Sequence, residues 1–152
     1  PLAWSSAASD VYKRQLVMMN EIIQTRPDVH RGWLEAELDA QLFLADTDNA
    51  NEVAKMADDQ TEGMDRKILW ASLYRDENRV NKLTLDFVFN DKVRNMLNAS
   101  AAFLAGKKKF GKRTTLRPQA VYDEVARQVL ADRGLKSPLG KIDGVPLSEY
   151  RP

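Results

Sequence analysis

The densest group of chargeable side chains in this sequence is a run of basic residues between positions 107 and 117. Six of these eleven positions are basic: Lys107, Lys108, Lys109, Lys112, Arg113 and Arg117. Binding to nucleic acid requires several phosphates to be neutralised at once, and such a run could provide that. Only Phe110 is interleaved with the charges, so the run lacks the stacking platform of single-strand binders. The simpler interpretation, which we favour, is a solvated connector between two helices.

The other residue types that carry chemistry are scarce or poorly arranged. The chain has no cysteine and one histidine, His30, which excludes disulfides, thiolate metal sites, cysteine nucleophiles and any His-pair metal site made by this chain alone. We expect His30 to lie on the solvent side of a helix. Asp58, Asp59 and Glu62 lack the glycine and alternating oxygen ligands of a calcium loop. No glycine-rich phosphate loop, nucleophile elbow or zinc-protease motif occurs. We therefore expect no metal, no cofactor and no catalytic activity.

Two aromatic residues are the candidates for ligand binding. Trp70 and Tyr74 are four residues apart on one predicted helix, and Trp33 lies on another. Aromatic residues at helical spacing more often form a core than a ligand cage, but both roles are open at this stage. Trp70 and Tyr74 are therefore the predicted ligand-binding residues.

Length and composition are those of one ordinary globular domain. The 152 residues are 43% hydrophobic and 30% charged. No apolar run approaches the roughly 18 residues of a membrane helix, so no membrane span is expected. Charge is unevenly distributed along the chain. Residues 1–75 carry 8 basic and 13 acidic groups, whereas residues 76–152 carry 15 basic and 9 acidic groups. A polyanion would therefore bind the second half.

The strongest helix predicted begins at Pro27, whose missing N–H costs nothing in a first helical turn. Its apolar stripe is spaced for one helical face, widened by four leucines: Val29, Trp33, Ala36, Ala40 and Phe43, with Leu34, Leu38, Leu42 and Leu44. The charged row Arg31, Glu35 and Asp39 should lie on the opposite side.

Four further segments complete the expected organisation. A helix capped within residues 46–48 ends at Gly63, and a second covers residues 64–74. Between residues 82 and 91 the side chains alternate with period 2, so that Leu85 and Phe87 lie on one face and Val88 on the other. This pattern predicts an extended segment. Two helices follow, one capped by Asp91 and one that begins at Pro118. A Pro- and Gly-rich tail, docked or loose, begins at Ser137. The chain should be mostly α, with one or two short extended segments.

Residues 1–15 do not fit this organisation. In the stretch SSAASDVYKRQ the charges follow the small residues, the reverse of a secretory signal, and no amphipathic period runs through it. The stretch resembles a translated library adapter. We expect residues 1–15 to be a non-native scar and residues 16–152 to be the C-terminal part of a longer protein.

From Leu16 onward the chain resembles periplasmic substrate-binding proteins of ABC importers, in the nitrate/sulfonate/taurine group. Three strings carry the resemblance to the C-terminal third of that family: RPDVHRGWLEAELDAQLFLAD, DNANEVAKMADDQTEGMDRKILWASLY, and LNASAAFL followed by LRPQAVYDEVARQVL. The resemblance implies an α/β type II periplasmic-binding fold in the parent protein, with two lobes around a ligand cleft. Residues 16–152 would then be mainly helices of the first lobe.

The same resemblance implies the function. The parent would bind a small, oxyanionic solute such as a sulfonate or nitrate and deliver it to the membrane permease of a bacterial ABC transporter. It would be periplasmic or extracytoplasmic, with a signal peptide upstream, and would bind no nucleic acid. Two alternatives stay open. One is a small helical nucleic-acid-binding protein that uses the basic loop 107–117; the other is a two-lobed enzyme of pyrimidine-precursor synthesis with its reactive groups upstream.

Overall fold

Helices make up most of the residues that the structure describes, which confirms the prediction of a mostly α protein with short extended segments. The structure, a computed structural model, describes residues 18–60, 65–74, 84–107 and 113–151. Within these residues the helices are α1 (Asn20–Thr25), α2 (Pro27–Ala45), α3 (Ala50–Gln60), α4 (Arg66–Tyr74), α5 (Asp91–Gly106) and α6 (Glu124–Asp132), and the strands are β1 (Thr84–Leu85) and β2 (Gly140–Lys141). Single 3₁₀ turns cover Thr47–Asn49, Pro118–Ala120 and Leu147–Glu149. The predicted scar at 1–15 and the stop at Gly63 lie outside the described residues.

Several helix ends follow the sequence signals, and two do not. Pro27 opens α2, and the Asp46 side chain accepts a hydrogen bond from Asp48 N, which starts the 3₁₀ turn before α3. The prediction of Asp91 as the cap of α5 is wrong: the Asn90 side chain caps it, accepting from Val93 N at 3.0 Å. Pro118 was expected to open the last helix, but it starts only the 3₁₀ turn, and α6 begins at Glu124.

Helix α2 buries the leucine side of its predicted apolar stripe and leaves the Trp33 side open. His30 and Leu38 are buried, and Leu38 packs with Ala126 and Val129 of α6. His30 is therefore not a solvent-side residue, contrary to the prediction. The Trp33 side of the predicted stripe is exposed, with Val29, Trp33, Ala36 and Ala40 all open to solvent.

Two exposed ion pairs accompany the packing of α2 on α6. Arg31 binds Asp132 at 2.6 Å, and Asp39 binds Arg133, so the C-terminal end of α6 is joined to the charged row of α2 by two ion pairs. That row adjoins the leucine side of the helix rather than the Trp33 side. Since α2 is apolar on both sides, its contact with α6 determines which side is buried, and the helix's own periodicity does not.

A second core lies between α3, α4 and the C-terminal tail. It consists of Ala50, Ala54, Trp70, Tyr74, Ile142 and Val145. The tail is docked rather than loose: β2 pairs antiparallel with β1, matching Thr84 with Lys141, and Val145 N donates to Tyr74 O at 2.7 Å. The tail therefore completes this core.

The period-2 prediction for residues 82–91 holds only over a short stretch. Strand pairing covers Thr84–Leu85, and Leu139 N donates to Leu85 O at 2.8 Å just beyond it. After the strand ends the alternation no longer decides burial, because Val88 is buried while Phe87, on the opposite face, is only partly so. Residues 82 and 83 lie outside the described part.

Candidate functional site

The two predicted ligand-binding residues lie in the core formed by α3, α4 and the tail. Trp70 and Tyr74 are both fully buried. The Tyr74 hydroxyl donates to Leu44 O at 2.9 Å, and the Trp70 ring meets Tyr150 edge-on with ring centroids 5.6 Å apart. Burial raises the pKa of Tyr74 to about 12, and the Asp46 carboxylate adds to this. Tyr74 is thus a neutral hydrogen-bond donor at physiological pH.

Trp70 has one chemical feature that its core role does not use. Its Nε1–H is buried and finds no hydrogen-bond acceptor within the part of the chain that the structure describes. An unsatisfied buried donor costs about 1–3 kcal/mol, so most buried tryptophans place this group against an acceptor. A ligand that offers an acceptor would satisfy it, but neighbouring side chains must move to admit one. The ligand-binding role of Trp70 and Tyr74 stays a prediction.

The histidine and the acidic residues are engaged in structural contacts. The His30 ring lies against Tyr122, with centroids 5.8 Å apart. Asp58 binds Arg66 at 3.0 Å, and Lys55 donates to Asp59 at 2.7 Å, which lowers the pKa of that carboxyl. Glu62 lies outside the described residues. Among the described ranges no three His, Asp or Glu side chains are placed to share a metal ion.

A buried carboxylate held by two arginines joins three segments. Asp123, just before α6, accepts from Arg127 at 2.8 Å, from Arg94 at 3.4 Å and from Phe89 N at 3.2 Å. Arg94 also donates to Phe89 O at 3.2 Å. The cluster ties the end of the β1 loop to α5 and α6. The spacing of Asp123 and Arg127 by four residues could have indicated the first pair, but Arg94 is 29 residues away and gave no signal.

The C-terminal end of α5 carries the most one-sided charge of the molecule. Residues 92–122 hold eight basic residues and no acidic one. Within the described ranges, Lys107, Arg113 and Arg117 are exposed, and Lys107 Nζ lies 5.6 Å from the centre of the Phe103 ring. Lys108, Lys109 and Lys112 of the predicted loop lie outside the described residues.

Apolar side chains are exposed at the same place. Phe103 is 64% exposed and Leu104 36% exposed. Leu116 N donates to Asn98 Oδ1 at 2.9 Å, so the chain after the basic run returns alongside α5. We call the exposed group Phe103, Leu104, Lys107, Arg113 and Arg117 the α5 cationic end.

Comparisons of the chain with protein-family models, with curated proteins and with solved structures each gave no match. In the described residues, no helix has the length and apolar character needed to cross a membrane.

Proposed function

We propose that this chain is the C-terminal part of the solute-binding component of a bacterial ABC importer. The parent would be a two-lobed periplasmic or extracytoplasmic α/β protein of the type II binding fold, and its ligand a small oxyanion of the sulfonate or nitrate class. Its partner would be the transporter's membrane permease. The proposal rests on the sequence resemblance from Leu16 onward, and one structural observation supports it.

That observation is the second apolar face of α2. One side of this 19-residue helix packs on α6, yet the opposite side carries only uncharged residues and is open to solvent: Val29, Gly32, Trp33, Ala36 and Ala40. Trp33 alone is 55% exposed. A surface helix normally turns charged and polar groups to water, whereas a helix apolar on both sides belongs between two layers. This supports a parent protein with a further layer over α2.

The mechanism in such a protein is conformational rather than catalytic. Ligand held between two lobes favours the closed state by its differential affinity for that state. Small oxyanions are held by helix N-termini and by N–H, hydroxyl or guanidinium donors. The unsatisfied Trp70 Nε1–H is a donor of the required kind. Because this chain would supply one side of the cleft, we expect no ligand binding by the chain alone.

The test begins with the gene. Sequencing the source DNA upstream of the codon for Leu16, on an independent clone, should give a frame that encodes a first lobe and a secretory signal. The longer protein should bind nitrate, taurine or methanesulfonate in a calorimetric titration, and the 152-residue chain should not. Tight, saturable binding by the chain alone, or a start codon directly before Pro1, would contradict the proposal.

A variant pair connects the titration to Trp70. Trp70→Phe removes the Nε1–H and keeps an aromatic ring, so binding of the oxyanion by the longer protein should weaken. Trp33→Phe, the same substitution at an exposed position, is the matched control and should bind as wild type does. Equal affinities of the two variants would exclude Trp70 as a ligand contact.

A further inference from the structure

The second half of α5 is unusual because its apolar residues are exposed. In this 16-residue helix Val93 is the buried residue, and it lies in the first turn. Ala102, Phe103 and Leu104 are exposed near the other end. Exposed large apolar residues that cluster, rather than occurring singly, mark a surface that contacts something else.

The charged residues that neighbour this apolar group in the sequence all have one sign. Lys107 follows the helix directly, and the hydrogen bond from Leu116 to Asn98 brings Arg113 and Arg117 back beside α5. Asn98 and Phe103 are separated by about 8 Å along a helix axis with a rise of 1.5 Å per residue. Lys107 lies directly at the exposed apolar residues, and Arg113 and Arg117 are exposed on the segment that is held to the middle of α5. No acidic residue between positions 92 and 122 offsets them.

We infer that the α5 cationic end binds the surface of an anionic phospholipid membrane. An interfacial helix inserts apolar side chains at the boundary of headgroups and acyl chains while its basic residues meet the anionic headgroups. Phe103 and Leu104 supply the apolar part, and Lys107, Arg113 and Arg117 supply the cations. Lys107 above the Phe103 ring fits this arrangement, since its ammonium lies toward the headgroups when the ring is inserted.

A nucleic acid would use the same cations but leaves the apolar residues unexplained. An aromatic ring can stack on a base, whereas Leu104 has no such role. A protein that binds the phosphates of a duplex needs only positive charge to do so. The coincidence of an exposed leucine and phenylalanine with the cations therefore favours lipid. This inference is independent of the proposed function, because it concerns a surface that the chain itself exposes.

The test is co-sedimentation of the 152-residue chain with vesicles of two compositions. Vesicles of equal parts phosphatidylglycerol and phosphatidylcholine should bind the chain, vesicles of phosphatidylcholine alone should not, and added salt should release it, because exposed charges are screened within about 10 Å at 0.1 M. Arg113→Gln with Arg117→Gln should weaken binding about 25-fold, from about fivefold for each charge near an anionic surface. Phe103→Ser with Leu104→Ser should weaken it by about tenfold or more.

Matched controls separate this surface from general stickiness. Lys136→Gln with Lys141→Gln removes two exposed charges elsewhere, and Ile68→Ser removes an exposed apolar side chain of α4; both should bind vesicles as wild type does. Far-ultraviolet circular dichroism should show the same helix content for every variant, because all the changed residues are exposed.

Three results would overturn the inference. The first is equal binding to both kinds of vesicle, or to neither. The second is vesicle binding that survives either α5 double substitution. The third is tighter binding to duplex DNA or RNA that depends on Arg113 and Arg117 but not on Phe103 and Leu104, which would assign the surface to nucleic acid.

Discussion

Replacing Ile142 by alanine tests whether the C-terminal tail is an integral part of the fold. Ile142 is fully buried among Trp70, Tyr74 and the small residues of α3. Cutting a buried isoleucine back to alanine costs about 2–5 kcal/mol of unfolding free energy. An ordinary domain has about 5–15 kcal/mol in total, so this change removes a large share. With a urea slope of about 1–3 kcal/mol/M, the unfolding midpoint should fall by about 1 M or more.

The assay is urea unfolding followed by tryptophan fluorescence, since Trp70 lies in the same core. Ile68→Ala is the matched control, because Ile68 is 62% exposed on α4 and its loss should change stability by less than about 0.5 kcal/mol. If the two variants unfold at the same urea concentration, Ile142 contributes no packing energy. The docked position of the tail, and the core built around it, would then be refuted.

Four further predictions use the same unfolding assay. Asn51→Ala removes two hydrogen bonds to the tail backbone, from Asn51 Nδ2 to Glu149 O at 3.0 Å and from Arg151 N to Asn51 Oδ1 at 2.7 Å, and should cost about 1–2 kcal/mol; wild-type stability would show that water replaces them. Tyr74→Phe leaves Leu44 O without its donor and should cost about 1 kcal/mol, and a neutral result would mean that this carbonyl reaches solvent. Asp123→Ala should cost about 2 kcal/mol or more, with Asp123→Asn intermediate because it keeps an acceptor oxygen; equal effects would show that the charge contributes nothing. Hydrogen bonds from Arg31 and Gln128 lower the pKa of Asp132, so its stabilisation is present above the ordinary value near pH 4 and is lost as the pH falls through the lowered one. Between about pH 6 and pH 3 the urea midpoint of Asp132→Asn should therefore fall less than that of wild type, and parallel profiles would contradict the pairing.

Local sequence signals predicted the helices well because their causes are local. Pro27 fixes the first turn of α2, and Gly134, with φ of +66°, adopts the left-handed conformation just past α6. The mistaken cap at Asp91 is an error of one residue between two good capping types. The mistaken start at Pro118 has a similar origin, since proline is suited equally to a 3₁₀ turn and to a helix.

Burial was predicted poorly because it depends on a partner that the sequence does not show. Both sides of α2 are apolar, so periodicity alone could not tell that Leu38 would be buried and Trp33 exposed. The buried side is the one that packs on α6, where Asp132 lies 101 residues from its partner Arg31. The same reason explains the missed contact between Arg94 and Asp123. At the candidate site, the spacing of Trp70 and Tyr74 was enough to predict a shared helix face, but not the orphaned Trp70 Nε1–H.

The open face of α2 and the α5 cationic end are both exposed apolar surfaces among the described residues, but their surroundings differ, and we therefore expect them to have different partners. The open face of α2 combines Trp33 with small uncharged residues, so covering it with another apolar protein layer would desolvate no charged group. The α5 cationic end would desolvate Lys107, Arg113 and Arg117 in such a layer, at a cost that only counter-charges could offset. An anionic membrane surface provides those counter-charges and leaves the cations hydrated. In the longer protein, quenching of Trp33 fluorescence by acrylamide should therefore fall, while binding to anionic vesicles should persist. If both were lost together, one protein layer would cover both surfaces, and the assignment of α5 to lipid would be wrong.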